Sequence, residues 1–195
     1  MNFWNNIFTT VNNLAYKNQI LDFIMLFISK KLPYIMLGMV VILYLIGILN
    51  KNKKARGIAV DTVVFTVINL ILSVILGHFF YASRPFVKDP KANLLYYHKA
   101  DSSFPSGHSV GSLSIALGLT RYNKFLGIIS IILSLLIGFS RLYVGHHYPQ
   151  HVLASFLMVI ILNIFYVKFL SKKVQKIYFT IEKHMPILKN LVYAK

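Results

Sequence analysis

Long runs of apolar residues restrict this chain to folds that a lipid bilayer can accept. Four segments are long enough, or nearly so, to cross the hydrocarbon core as helices, which takes roughly 20 mostly apolar residues. They are residues 33–49, 58–80, 125–139 and 152–170. Only 13% of all residues are charged, against about a quarter in soluble domains. Since backbone polar groups in lipid must be paired within the protein, we predict an all-α, multi-pass transmembrane helix bundle.

Two further segments complete the predicted bundle. A shorter apolar run at 109–120, which residues 106–108 and Tyr122 can extend, predicts a fifth spanning helix. Such a short helix would suit a start inside the protein, at a site, rather than at the lipid surface. The stretch 3–29 mixes polar residues with apolar ones at helical spacing, which predicts an amphipathic helix lying in the interface. A sixth span there is the alternative.

The charges in the loops predict the orientation. The net charge is +16, from 21 Lys and Arg against 5 Asp and Glu. Basic residues cluster at 51–56, 121–124 and 172–195, which fall on one side of the predicted bundle. The positive-inside rule makes that side the cytoplasm of a cell-membrane protein, so the loops 81–105 and 140–150 face outward. Because the charges flank apolar spans, we expect the lipid bilayer as a partner, and no nucleic acid.

Four regions follow along the chain. We predict an interfacial helix at 1–32, a first spanning helix and cytoplasmic loop at 33–56, a helical core at 57–170, and a basic cytoplasmic tail at 171–195. The absence of cysteine excludes disulfides and thiolate chemistry. Five carboxylates in the whole chain are too few to favour a magnesium or calcium site. We therefore expect no metal and no cofactor.

The start of the short fifth helix has the features of an anion site. Ser106 directly precedes the apolar run, which is an N-cap signal. The first N–H groups of a helix are unpaired, and the helix dipole favours an anion beside them. Gly107 would let a phosphate approach the backbone, and His108 could exchange a proton with a phosphate ester. The alternative is an ordinary capped helix with an interfacial histidine.

A second polar cluster lies in the other outward loop. Pro149 is typical of the first position of a helix, which places His147 just before it. An imidazole there can attack phosphorus, and Arg84 and Arg141 offer planar guanidinium groups that match phosphate oxygens. As alternatives, either arginine could snorkel to lipid heads, and His147 with His151 could bind zinc. We interpret the remaining histidines of the outward side as packing or interfacial residues; they are His78, His98 and His146.

Together these motifs resemble those of the type 2 phosphatidic acid phosphatase superfamily. The matching residues are Arg84-Pro85, Pro105-Ser106-Gly107-His108, and Ser140-Arg141 followed by His147. The likeness covers about residues 58–170, so the helical core would be a phosphatase core. The stretches 84–87, 101–108 and 144–149 look most like the bacterial undecaprenyl-diphosphate phosphatases of that superfamily.

The resemblance implies a role for each motif residue. His147 would be the nucleophile that forms a phosphohistidine, and His108 the general acid that protonates the leaving oxygen. The phosphate would be held by Arg84, Ser106, Gly107 and Arg141. Such enzymes need no metal, and they convert undecaprenyl diphosphate to undecaprenyl phosphate on the outer face, which recycles the lipid carrier for peptidoglycan and cell wall biogenesis.

Two positions depart from the family pattern. Gly77 stands where the first motif has a lysine, so a phosphate contact is missing unless His78 or Lys88 replaces it. His151 stands where the third motif has an aspartate that orients the nucleophile. A neutral His151 could still accept a hydrogen bond from His147, but it offers no negative charge. Asp101 could compensate if it lay close.

Two other functions are alternatives. One is a related phosphatase that acts on phosphatidic acid or phosphatidylglycerol phosphate. The other is a catalytically weakened member that binds or transports lipid phosphates, which Gly77 and His151 favour. The oligomeric state is not predicted.

Overall fold

The computed structural model describes residues 3–186 and 191–192. Within these ranges the regular elements are helices and no strand occurs, which confirms the predicted all-α fold. The helices are α1 (Phe3–Asn12), α2 (Gln19–Lys30), α3 (Leu32–Leu49), α4 (Lys53–Phe79), α5 (Pro85–Lys88), α6 (Gly107–Tyr122), α7 (Lys124–Tyr143), α8 (Pro149–Phe169) and α9 (Ser171–His184).

Four helices of the described chain are long and apolar enough to cross a membrane, namely α3, α4, α7 and α8. They coincide with the four long predicted spans. Large apolar side chains cover their outer faces: Leu49, Val74 and Phe125 are 80%, 75% and 73% exposed. Soluble monomers rarely expose apolar surface on this scale, whereas lipid chains are a matching solvent for it. The multi-pass membrane fold is thus confirmed.

Helix α6 is the shorter fifth helix, and it lies at the centre of the bundle between α4 and α7. Its 16 residues give a length of about 24 Å, less than the roughly 30 Å of a hydrocarbon core. Val110, Ala116 and Leu119 are fully buried, and so is the N-cap Ser106. The predicted start inside the protein is therefore observed, and the helix begins among its neighbours instead of at a lipid surface.

The N-terminal stretch contains two helices where one was predicted. Residues 13–18 interrupt the helix, and Tyr16 adopts a positive φ of 65°. The side chain of Asn18 then accepts hydrogen bonds from the N–H groups of Ile20 and Leu21, which starts α2 as a new helix. Helix α1 packs against α7 and α8, and α2 packs against α3 and α7.

Buried ion pairs fasten one end of the bundle, which we call the tail end because α9 lies there. Asp61 of α4 is fully buried and bonds with Arg121 of α6, Tyr166 of α8 and Ser171 of α9. Arg56 of α4 joins α9 through Glu182, with 2.7 Å between Nε and Oε1. These contacts fix the helices at the tail end. The opposite end of the bundle, where α6 starts, we call the site end.

Candidate functional site

The motif residues converge at the site end. Arg84 directly precedes α5, Ser106 caps α6, and Arg141 lies in the last turn of α7. His147 lies two residues before Pro149, which occupies the predicted first turn of α8. The turn between α7 and α8 contains Gly145 at a φ of +84°, where an added Cβ would lie 2.2 Å from the Asn93 carbonyl oxygen. Glycine at this position therefore allows the chain to turn back and present His147.

His147 is 2% exposed and has a defined tautomer. Its Nδ1 lies 2.7 Å from the carbonyl oxygen of Ser103, which can only accept, so Nδ1 carries the hydrogen. The lone pair of the neutral ring is then on Nε2, which lies 3.1 Å from Nη1 of Arg84. Burial lowers the pKa of His147 well below its ordinary value, and the charges of Arg141 and Arg84 lower it further. An unprotonated Nε2 has the lone pair that a nucleophile needs, and in this structure that lone pair accepts from Nη1 of Arg84.

Arg84 connects the candidate nucleophile to the rest of the site. Besides contacting His147, Nη1 donates to the carbonyl oxygen of His146 at 3.0 Å, and Nε donates to Oδ1 of Asp101 at 2.8 Å. Partial burial disfavours the Asp101 carboxylate, but the hydrogen bond and charge of Arg84 outweigh this and lower its pKa. Asp101 therefore serves Arg84 and does not replace the missing aspartate beside His147.

Ser103 links the two histidines of the third motif. Its hydroxyl lies 2.9 Å from Nδ1 of His151, while its carbonyl accepts from His147. His151 thus does not accept the hydrogen bond from His147, contrary to the expectation, because Ser103 lies between them. Ser103 was not singled out in the sequence, since a backbone carbonyl is available at every residue and gives no signal there.

Arg141 is fully buried and, within the described part of the chain, bonds only to neutral groups. Nη1 donates to the hydroxyls of Ser29 and Tyr96, both at 2.6 Å, and Nη2 donates to Nδ1 of His146 at 2.6 Å. Among the described residues no partner reaches Nε, and no carboxylate lies within ion-pair distance. A guanidinium has five N–H groups, so the N–H of Nε and one N–H of Nη2 have no acceptor among the described residues.

The interpretation of His146 as a packing or interfacial residue is corrected by the structure, because His146 bridges Arg84 and Arg141. Its Nε2 donates to the Tyr96 carbonyl oxygen at 3.1 Å, which leaves Nδ1 as the acceptor for Arg141. Its own carbonyl accepts from Arg84. Burial, followed by the charge of Arg141, lowers the pKa of His146 far below the ordinary value and keeps the ring neutral.

The start of α6 faces open space. The Ser106 hydroxyl caps the helix through the N–H of Ser109, and the Ser106 N–H donates to Ser155 Oγ at 2.8 Å. No neighbouring atom lies within 4 Å of a Cβ built on Gly107. The N–H groups of Gly107 and His108 precede the first helical hydrogen bonds. The predicted anion seat therefore has both donors and room.

His108 lies where this polar site meets an apolar cavity. The cavity holds about 560 Å³ between α3, α4 and α6, with Leu37, Val67 and Ile115 among its walls and Gly107 and His108 at its polar end. His108 is also within Coulombic range of Arg141 and Arg84. Of the four residues on which the hypothesis depends, Arg84, His147 and Arg141 are joined by direct contacts, and the charges of both arginines act on His108.

Gly77 has a packing role at this end of the bundle. A Cβ built on Gly77 would lie 3.0 Å from the carbonyl oxygen of Phe104, and near Ser102 and Pro105. The loop before α6 therefore occupies the space that a lysine at position 77 would enter. Lys88 instead lines a cavity of about 390 Å³ together with His151.

The histidines do not form a zinc cluster among the described residues, where no three His, Asp or Glu side chains converge on one point. His147 and His151 both turn toward Ser103 instead of toward a shared ligand position. The zinc alternative therefore lacks a ligand set in this part of the chain.

Known proteins share both the sequence and the fold. Residues 58–175 match the PAP2 superfamily model. The undecaprenyl-diphosphatase BcrC of Bacillus subtilis is 32% identical over 84% of this chain and 82% of its own length. The putative undecaprenyl-diphosphatase YbjG of Escherichia coli is 32% identical over 68% of this chain and 65% of its own.

The crystal structure of Aquifex aeolicus LpxE superposes with a TM-score of 0.67 at 27% identity, covering 85% of this chain and 94% of that one. A transmembrane PAP2-type phosphatidylglycerolphosphate phosphatase from Bacillus subtilis superposes with a TM-score of 0.64, covering 89% and 88% of the two chains. At 22% identity the latter likeness concerns the fold alone.

Proposed function

This chain belongs to the PAP2 superfamily, and from that premise we propose that it is a membrane phosphatase that hydrolyses undecaprenyl diphosphate to undecaprenyl phosphate and phosphate. The observation that carries the proposal is the contact of 3.1 Å between Nε2 of the neutral His147 and Arg84. The two relatives named undecaprenyl-diphosphatase support the choice of substrate.

Binding would use the charge of Arg84 together with N–H groups that have no acceptor among the described residues. The terminal phosphate would lie between Arg84, the two free N–H groups of Arg141 and the first N–H groups of α6. Because the site is buried and carries two guanidinium groups, a polyanion would be bound more strongly there than at a wet surface. Phosphoryl transfer depends mainly on such positioning and charge stabilisation.

In the first step Nε2 of His147 would attack the terminal phosphorus. The bond between phosphorus and the bridging oxygen breaks, and His108 gives that oxygen a proton as undecaprenyl phosphate leaves. The positive charge that develops on His147 would be shared through its Nδ1–H with the carbonyl oxygen of Ser103, 2.7 Å away. Negative charge on the bound diphosphate favours the protonated His108 that this step needs.

In the second step water would attack the phosphohistidine. His108, now neutral, accepts a proton from the water as the new oxygen–phosphorus bond forms and the bond to Nε2 breaks. Inorganic phosphate then leaves, and both histidines return to their starting states. One acid–base residue therefore serves both half-reactions.

The prenyl chain would lie in the apolar cavity of about 560 Å³ between α3, α4 and α6. His108 at its polar end would meet the bridging oxygen, where chain and diphosphate join. The site would face outward, since the basic clusters at 51–56 and 121–124 lie at the tail end and the positive-inside rule makes that end cytoplasmic.

The test is phosphate release from undecaprenyl diphosphate by the purified chain in detergent with EDTA. We expect full activity with the chelator, and a loss of about 10⁴-fold or more in His147→Ala, as when other enzymes lose a nucleophile. His184→Ala at the tail end is the matched control and should retain activity. Phosphatidic acid and phosphatidylglycerol phosphate should react more slowly; faster release from either would replace the proposed substrate, and loss of activity in EDTA would end the metal-independent mechanism.

A further inference from the structure

The N-terminal helices reach the candidate site, although they lie outside the matched residues 58–175. We propose that Ser29 of α2 and Tyr96 of the first loop form a positioning pair that orients Arg141 for phosphate. This inference rests on the proposed function, because it assigns Arg141 to phosphate binding. Helix α2 would then contribute to phosphate binding through Ser29.

The two hydroxyls and the guanidinium form a closed set of contacts. Ser29 Oγ and Tyr96 Oη each lie 2.6 Å from Nη1 of Arg141 and 2.9 Å from one another. Ser29 is fully buried, as is Arg141. The Ser29 hydroxyl has, among residues 3–186 and 191–192, only these two partners and none within its own helix, so its contact is not a by-product of helix structure.

Both hydroxyls are held in place by further contacts. Asp22 of α2 accepts from the Tyr143 hydroxyl at 2.7 Å, which ties α2 to the end of α7. The Asn12 side chain donates to the carbonyl oxygens of Asn93 and Tyr143, both at 2.9 Å. The Lys30 ammonium lies 4.1 Å from the centre of the Tyr96 ring. The N-terminal segment is therefore bonded both to the loop that contains Tyr96 and to α7, the helix that contains Arg141.

Ser29 and Tyr96 would fix the orientation of the Arg141 guanidinium and leave its charge unchanged. With both hydrogens of Nη1 bound by Ser29 and Tyr96, the N–H of Nε and one N–H of Nη2 remain for oxyanion contact. A buried N–H without a partner is costly. Removing a hydroxyl would therefore let the guanidinium turn to satisfy Nη1, and the remaining donors would lose their aim at the phosphate.

The experiment measures the affinity of the full chain for inorganic phosphate, by titration followed with ³¹P NMR in detergent. Ser29→Ala and Tyr96→Phe each remove only a hydroxyl, and each should weaken phosphate binding roughly tenfold. Ser130→Ala is the matched control, since Ser130 is equally buried but its one bond to a described residue is to the Leu126 carbonyl of its own helix. It should retain the wild-type affinity. In an Arg141→Ala background, Ser29→Ala should weaken phosphate binding no further.

Thermal unfolding of each variant separates positioning from general destabilisation. A similar loss of stability in all three hydroxyl variants, with weaker phosphate binding in only two, supports the positioning pair. Equal phosphate affinity in Ser29→Ala and Ser130→Ala would overturn it, as would a wild type that does not bind phosphate. If phosphate binds as expected but no lipid diphosphate is hydrolysed, the proposed function fails while the positioning pair stands.

Discussion

The two ends of the bundle both bury arginines but neutralise them differently. At the tail end, Arg121 contacts Asp61 and Arg56 contacts Glu182, so each guanidinium faces a buried carboxylate. At the site end, the one carboxylate that pairs with Arg84 among the described residues is the half-exposed Asp101. Arg141 has, among the described residues, only neutral partners.

This difference separates a structural role from a functional one. A carboxylate neutralises the charge of its arginine within the fold, and the pair joins helices. The charges are paired in this way even though Nε and Nη2 of Arg121 have no hydrogen-bond partner among the described residues. A buried arginine held by hydroxyls and an imidazole keeps its charge uncompensated, at an energetic cost that a bound anion would offset. The site end therefore has the electrostatics of a phosphate site before any phosphate arrives.

The largest effect should come from breaking an ion pair at the tail end. Arg56→Ala leaves Glu182 buried without this partner, so we expect a stability loss of about 3–5 kcal/mol. Chemical unfolding in detergent measures it. Phosphate release per folded molecule should stay near the wild-type value, and a selective loss of activity in a stable Arg56→Ala protein would contradict the division between the two ends.

Arg141→Ala should have the converse effect. Removing a donor that stabilises the transferring phosphoryl group should lower the rate of phosphate release about 10²–10³-fold. Stability should fall less than in Arg56→Ala, since Ser29 and Tyr96 can bond to each other once the guanidinium is gone. Steady-state kinetics and unfolding on the same samples provide the comparison; an active but unstable Arg141→Ala would reverse the assignment.

Acidification should lower the free energy of unfolding of the protein. The pKa values of His146 and His147 are depressed by burial and by Arg141. Below about pH 6.5 the unfolded chain therefore takes up protons that the folded chain does not, so stability falls with falling pH by about 1.4 kcal/mol per unit for each histidine.

Unfolding measured from pH 7.5 to pH 5 tests this expectation. His147→Asn should flatten the pH dependence, whereas Ser130→Ala, which removes a buried hydroxyl and no titratable group, is the control. An unaltered slope in His147→Asn would show that this buried imidazole takes up protons in the folded chain.

The smallest effect is expected at the position where the family has an aspartate. Because Ser103 separates position 151 from His147, His151→Asp should change the rate of phosphate release less than tenfold. Its steady-state rate is measured beside that of His151→Asn, which introduces no charge. A rise of a hundredfold or more in His151→Asp alone would favour the catalytically weakened alternative.

Much of this architecture is readable from the sequence because its signals are local. Hydropathy alone locates the four long spans, and the cap at Ser106 and the proline at 149 locate the helix starts that frame the site. The roles of Ser29, Tyr96 and Ser103 are not readable in this way. Each depends on one hydroxyl or carbonyl meeting a residue that is distant in the chain, and no periodicity or spacing marks such a meeting.

The break between α1 and α2 is only partly predictable from the sequence. Asn18 is a recognisable cap, but the apolar spacing on both sides favours one continuous helix. Gly77 is similar, since its closeness to the Phe104 carbonyl becomes visible only once the loop before α6 is placed.

The shortness of α6 has a consequence for how a lipid would be processed. Because α6 begins inside the bundle, the reaction at its start would take place below the aqueous boundary. The hydrocarbon tail can then stay dissolved among its neighbours through a whole catalytic cycle, entering and departing sideways. Turnover would in that case depend on the fluidity and thickness of the surrounding bilayer as well as on chemistry.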